Sequence, residues 1–210
     1  MAIVSKNAFL SESEMQQNAA YIWQYLSSRG WSMNAVAGML GNMETESTIN
    51  PAIWQNLDAG NTSLGFGLVQ WTPATKLINW ANGKGLDYTD MDTQLERILW
   101  ELENGEQYYP TDSYPLSFAA FSTSTQTPEY LAQAFLLNYE RPADQDQPAR
   151  STQARKWFTY LGGVDTGGGS EEPEQPEQPE QPEEPEQPDT PVRKSRKLPL
   201  WMMYQTIRRV

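Results

Sequence analysis

Along residues 11–47 the apolar positions recur every three or four residues, a spacing that gathers them on one helical face. Met15, Ala19, Ile22 and Leu26 share such a face behind Ser11, whose Ser-x-x-Glu spacing to Glu14 is a capping box. That helix is expected to stop near Gly30. A second is predicted from about Ser32, carrying Val36, Met39, Leu40 and Met43 inward and ending at Glu46 or Ser47, before Asn50-Pro51. The period then breaks. Between residues 56 and 71, "NLDAGN" is turn chemistry, and "LGFGLVQW" reads as a short β-like run whose glycines suggest close backbone approach.

Thr72-Pro73 is expected to restart a helix with a cap and an N1 proline, running to about Asn82-Gly83. Leu95, Ile98, Leu99 and Leu102 mark another, closed by Gly105. Thr127-Pro128-Glu129 opens one more, packing Leu131, Phe135, Leu136 and Tyr139, and a last helix around 149–161 buries Trp157, Phe158 and Leu161. The predicted class is α+β, mostly helical, with a small β-hairpin element beside the second helix, forming one domain over residues 1–162.

After Gly162 the pattern disappears. Residues 163–191 are glycine-rich and then a Pro/Glu/Gln repeat without apolar side chains, which predicts an extended, self-repelling spacer. Residues 192–210 are basic at both ends and apolar between. That tail has two readings: a disordered end, or a surface-binding peptide. In the second, Arg193, Lys194, Arg196, Lys197, Arg208 and Arg209 meet anionic lipid or wall polymer while Leu200, Trp201, Met202 and Tyr204 insert or pack.

Charge and two absences narrow the chemistry. Residues 1–164 hold nine basic against seventeen acidic side chains, so nucleic acid is not an expected partner. The chain has no cysteine and no histidine, which excludes disulfides, thiolate nucleophiles, Cys-based zinc sites, Ser-His-Asp catalysis and imidazole ligation. Acid–base work near neutral pH therefore falls to carboxylates, Lys or Tyr. The N-terminus lacks a basic start followed by an apolar run, so no secretory signal is expected. Apolar runs fall far short of the roughly 20 residues a membrane helix needs.

The stretch "GNMETESTINPAIWQNLDAGNTSLGFGLVQWTP" places Glu44 and Glu46 at the end of the second helix. At about 100° per residue both lie roughly 80° from the centre of the apolar stripe, on opposite sides, so periodicity does not choose between them. Carboxylates at a helix C-terminus face the negative end of the macrodipole, a small cost that leaves room for a functional reason. Asp58, in the predicted turn, is either an Asx turn before Gly60 or a second carboxylate facing the first. Trp54, Trp71 and Trp80 are either core or the apolar faces of a sugar cleft. Gln70 has donors and acceptors suited to hydroxyl or N-acetyl groups, or to the backbone beside it.

Together "MLGNMETESTINPAIWQNLDAGNTSLGFGLVQWTPA" and "NYERPADQDQPAR" resemble the lysozyme domain of phage tail-tip and tail-knob lysins, nearest to the tail-knob wall-degrading proteins of small podophages that infect Bacillus. The Glu46-Ser47 pair and the Gly67-Leu68-Val69-Gln70 element are also similar to the wider lysozyme and lytic-transglycosylase superfamily. The resemblance covers roughly residues 4–162. It implies a lysozyme-like fold and cleavage of the MurNAc–GlcNAc β-1,4 bond. It also implies Glu46 as the general acid, with Ser47, Gln70, Trp71 and Tyr139 at the substrate cleft. Asp58 is the candidate second carboxylate, and no metal or organic cofactor is expected.

A lytic transglycosylase, or a structural tail protein that only binds wall glycan, are the competing readings. The implied partner is bacterial peptidoglycan, with other tail proteins reached through residues 192–210. The implied locations are the virion tail tip or, before release, the host cytoplasm. The podophage relatives continue into a zinc-dependent endopeptidase, and without His or Cys none is expected here.

Overall fold

The computed structural model describes residues 2–165, with side-chain surroundings through Gly163. The first helix, α1 (Glu12–Ser27), starts on the capping box: Glu14 N donates to Ser11 Oγ while Ser11 N donates to Glu14 Oε2 at 2.8 Å. Helix α2 (Met33–Ser47) follows with Ser32 as its cap, accepting from Ala35 N at 3.1 Å. The four positions expected to face inward are all buried, but burial is not confined to a stripe. Every residue from Ala35 to Met43 is buried, so α2 is the central helix of the described residues.

Such enclosure requires neighbouring backbones to come close, and two glycines one turn apart permit it. A Cβ on Gly38 would lie 2.8 Å from the Leu131 Cβ, and one on Gly41 would lie 2.5 Å from the Arg150 carbonyl oxygen. Leu131 belongs to α6 (Pro128–Phe135) and Arg150 to α7 (Pro148–Asp165), and these two helices flank α2. The remaining helices are α3 (Thr75–Gly83), α4 (Met91–Asn104), closed by Gly105 at φ 67°, and α5 (Phe118–Ser122). The short α5 was not expected from the sequence. It is held by an aromatic cluster in which Phe118 stacks on Tyr108 at 4.6 Å and meets the Trp31 ring edge-on at 5.9 Å.

The expected β-hairpin is not formed. Among the described residues, this segment contributes a single 3-10 turn at Gln55–Leu57 and isolated antiparallel bridges, Trp54 to Phe66 and Phe66 to Trp71, in place of a strand ladder. The chain turns too often to propagate a ladder: Asn56, Leu57, Gly67 and Gln70 all have positive φ. Its donors also go elsewhere, Gly67 N to Ile53 O at 3.0 Å and Leu68 N to the Gln94 side chain at 2.9 Å. Pro73 is not the first residue of α3. The Thr72–Pro73 peptide is cis, Thr72 Oγ1 donates to Gln70 O at 2.8 Å, and the helix starts at Thr75.

Helix α6 passes directly into a π-helical turn, Leu136–Glu140, which ends on Arg141 at φ 51°. Helix α7 continues through Gly162 and Gly163, beyond the end expected for that helix near Leu161. The Pro/Glu/Gln spacer and the basic–apolar segment 192–210 lie outside the described residues. Among those described, no helix is long and apolar enough to cross a membrane.

Candidate active site

The two glutamates at the end of α2 have different surroundings. Glu44 turns toward α7, where Oε1 pairs with Lys156 Nζ at 2.9 Å and Oε2 accepts from Trp157 Nε1 at 2.7 Å. Both its oxygens are taken up in joining two helices. Glu46 lines a pocket of about 460 Å³, its Oε1 held by Arg150 Nη2 at 2.5 Å. Arg150 is buried, and its guanidinium is fixed from other directions by Asn42 Oδ1 at 3.0 Å and Gln147 Oε1 at 2.7 Å. A buried cation needs such partners. Asn42 is itself locked onto the Gly38 and Ala132 carbonyls, so the orientation of Glu46 is set by side chains from α2 and α7 together.

Gln70, Trp71 and Tyr139 line the same pocket. Gln70 takes a left-handed backbone at φ 48°, and its side-chain amide donates to Gly67 O at 3.0 Å. Trp71 and Tyr139 are both buried and converge on one carboxylate. Trp71 Nε1 reaches Glu101 Oε1 at 2.9 Å, Tyr139 OH reaches Glu101 Oε2 at 2.5 Å, and Arg97 Nε completes the set at 2.9 Å. Burial raises the Glu101 pKa above the ordinary value, with the Tyr139, Arg97 and Trp71 contacts opposing it. Burial and the Glu101 charge drive the Tyr139 hydroxyl well above its own usual value. Glu101 thus anchors two pocket walls from behind.

Other expected site residues stand apart from the pocket. Ser47 is buried, and its hydroxyl donates to Met43 O at 3.0 Å and Leu68 O at 2.8 Å, tying the end of α2 to the Gly67–Gln70 turn. Asp58 is exposed in a turn, accepts from Asn61 Nδ2 at 2.8 Å and is not among the pocket-lining residues. Trp54 packs on Phe66, and Trp80 on Trp100, neither lining the pocket.

Of the lining residues that the sequence reading passed over, Lys76, Gln107 and Arg141 among them, one is a carboxyl. Glu140 closes the π-helical turn after Tyr139, and its Oε1 is sealed from solvent with no hydrogen-bond partner among the described residues. Burial, reinforced by the Glu46 carboxylate and opposed by Arg150, pushes its carboxyl well above the usual range. The signal for it lay in the segment "NYERP", whose Tyr139, Glu140, Arg141 and Pro142 all reach the pocket.

A family model described as "Phage tail lysozyme" matches residues 17–161, which takes in α2, the pocket and most of α7. Morphogenesis protein 1 of Bacillus phage B103 is 58% identical over 164 residues, covering 78% of this chain and 44% of that protein. The chain therefore spans less than half the length of that relative.

Proposed function

Because the chain belongs to the phage tail lysozyme family, we propose that it is a virion-associated peptidoglycan hydrolase, cleaving the MurNAc–GlcNAc β-1,4 bond with Glu46 as general acid. The observation that carries this reading is the separation of the two glutamates. Glu44 is consumed in joining α2 to α7, whereas Glu46 opens on a pocket walled by Gln70, Trp71 and Tyr139. Glycosidic cleavage needs a carboxyl placed to protonate the leaving oxygen, in a cleft that takes a sugar ring. Arg150 sets the direction of that carboxyl. When Glu46 gives or takes its proton, Arg150 keeps its bonds to Asn42 and Gln147, so the frame of the site survives the step.

A lytic transglycosylase is the second reading, favoured by the position of Asp58. With that carboxylate in an exposed turn outside the pocket lining, a mechanism in which the substrate's own hydroxyl closes an anhydro ring needs no partner there. Purified peptidoglycan separates the two. Wild type, Glu46→Gln and Glu44→Gln are compared by mass spectrometry of released muropeptides. The expected result is loss of release by roughly a hundredfold or more in Glu46→Gln alone, since a general acid contributes on that scale. New reducing ends identify hydrolysis, and anhydro ends identify transglycosylation. Glycan binding without any release by the wild type, across several wall types, replaces the enzyme with a wall-binding tail module.

A further inference from the structure

Glu140 is a carboxyl that the folded chain leaves incomplete. Among the described residues its Oε1 has neither solvent nor a hydrogen-bond partner, yet the residue keeps a partly exposed face and lines the pocket with Glu46. Leaving a buried polar atom unsatisfied costs about 1–3 kcal/mol, and such groups call for an explanation. The backbone that presents it is unusual as well: a π-helical turn closed by a left-handed Arg141, at φ 51°. Turns of that kind recur at functional sites. The surrounding charges are Glu46 from α2, Arg150 from α7, Glu101 from α4 and Arg141 beside it, with Lys76 of α3 elsewhere in the pocket lining, and among the described residues no cation forms an ion pair with Glu140 itself.

We propose that Glu140 is the second carboxyl of this site, a substrate-binding group that works in its neutral form. Its O–H donates a hydrogen bond to a hydroxyl or acetamido oxygen of the amino sugar whose glycosidic oxygen Glu46 protonates. The inference rests on the glycan-hydrolase reading above and adds a residue to it. A neutral carboxylic acid is both donor and acceptor, and so suits a sugar. An ionised one would sit beside the carboxylate that Glu46 becomes once it has given up its proton, so burial and that neighbour both favour the neutral acid, with Arg150 and Arg141 opposing them. Keeping a carboxyl protonated by burial so that it can donate is an established device.

The test compares wild type, Glu140→Gln and Glu140→Ala for muropeptide release and for calorimetric binding of a soluble, peptide-free GlcNAc–MurNAc oligosaccharide. Both are measured from about pH 5 to about pH 9, with thermal melting to verify folding. Glutamine keeps the shape and the neutral hydrogen-bonding ends, so Glu140→Gln is expected within about threefold of wild type at the acidic end. It should also hold its affinity at the alkaline end, where wild type weakens as Glu140 ionises. Glu140→Ala is expected to bind about tenfold more weakly or worse, the scale of one lost hydrogen bond.

Wild-type affinity in Glu140→Ala removes Glu140 from the substrate. A Glu140→Gln protein as defective as Glu140→Ala shows that the proton or the charge itself is required, and overturns the neutral role. In either case a wild type that still cleaves glycan leaves the hydrolase reading standing. A wild type that neither binds nor cleaves overturns that reading and this inference with it.

Discussion

Arg150 lies 2.5 Å from Glu46 and 3.0 Å from Asn42 and is itself buried, while Glu46 keeps a face to the pocket. Removing one partner from a fully buried ion pair costs roughly 3–5 kcal/mol, because the other is left uncompensated, and the 21% exposure of the Glu46 side chain places the loss of Arg150 below that range. Arg150→Met is therefore expected to lower the melting temperature by several degrees or more and to cut muropeptide release sharply. Glu46→Gln, which keeps an acceptor for the guanidinium, is expected to cost much less stability for an equal loss of activity. Melting curves alongside release assays give both numbers. Equal destabilisation by the two variants would mean that the pair matters only for folding. Glu44→Gln is the mirror case, with activity retained and stability reduced by about 1–2 kcal/mol as the Lys156 and Trp157 contacts weaken. Periodicity set the two glutamates symmetrically about the apolar stripe. What distinguishes them are partners more than a hundred residues away, which no local pattern contains.

Among the elements, α2 governs the site, and its glycines govern α2. A methyl group at Gly41 would sit 2.5 Å from the Arg150 carbonyl oxygen, a backbone atom that yields only if α7 moves. Gly41→Ala gains helix propensity but is expected to be destabilising by about 1–3 kcal/mol through overpacking. Because the displaced residue is Arg150, catalysis should fall with it. Gly83→Ala, where nothing lies within 4 Å of the added atom, is the matched control. A Gly41→Ala protein with wild-type melting and activity would refute the claim that close α2–α7 approach sets the pocket. The helices themselves were largely legible from caps and spacing: Ser11, Ser32 and Thr127 all serve as side-chain caps. The segment between α2 and α3 was not. Its alternation resembles a strand, but Gln94 supplies the Leu68 amide's acceptor from α4, and positive φ at Gly67 and Gln70 bends the chain before a ladder can form. Likewise α5 has too few residues for a period, and only its aromatic neighbours explain it.

Across the whole molecule, burial of Glu101 and Glu140 ties stability to pH in a defined direction. Both have carboxyl pKa values raised above the ordinary one, first of all by burial. The folded chain therefore holds protons that the unfolded chain releases once the pH exceeds about 4.3. Their contribution is complete below that value and is lost as the pH climbs through the raised, folded-state values. Carboxylates stabilised in their charged form act oppositely: Glu14, lowered to about 2 chiefly by its hydrogen bond with Lys6, together with Asp87 and Glu129, loses stability only in stronger acid. The melting temperature should accordingly peak in mild acid and decline from about pH 5 toward about pH 8, each retained proton adding up to about 1.4 kcal/mol per pH unit to the slope. Tyr21 and Tyr108, both raised to about 12, stay protonated throughout that window and cannot produce the decline. General repulsion in a chain of net charge −12 has the same sign, so the curve needs an internal reference. Glu140→Gln provides it by removing one retained proton and no charge from the acid form. Its melting curve should be flatter than wild type on the alkaline side and nearly superimposable below about pH 4. Parallel curves for the two proteins would show that Glu140 ionises as freely in the folded chain as in the unfolded one, and that its burial costs nothing.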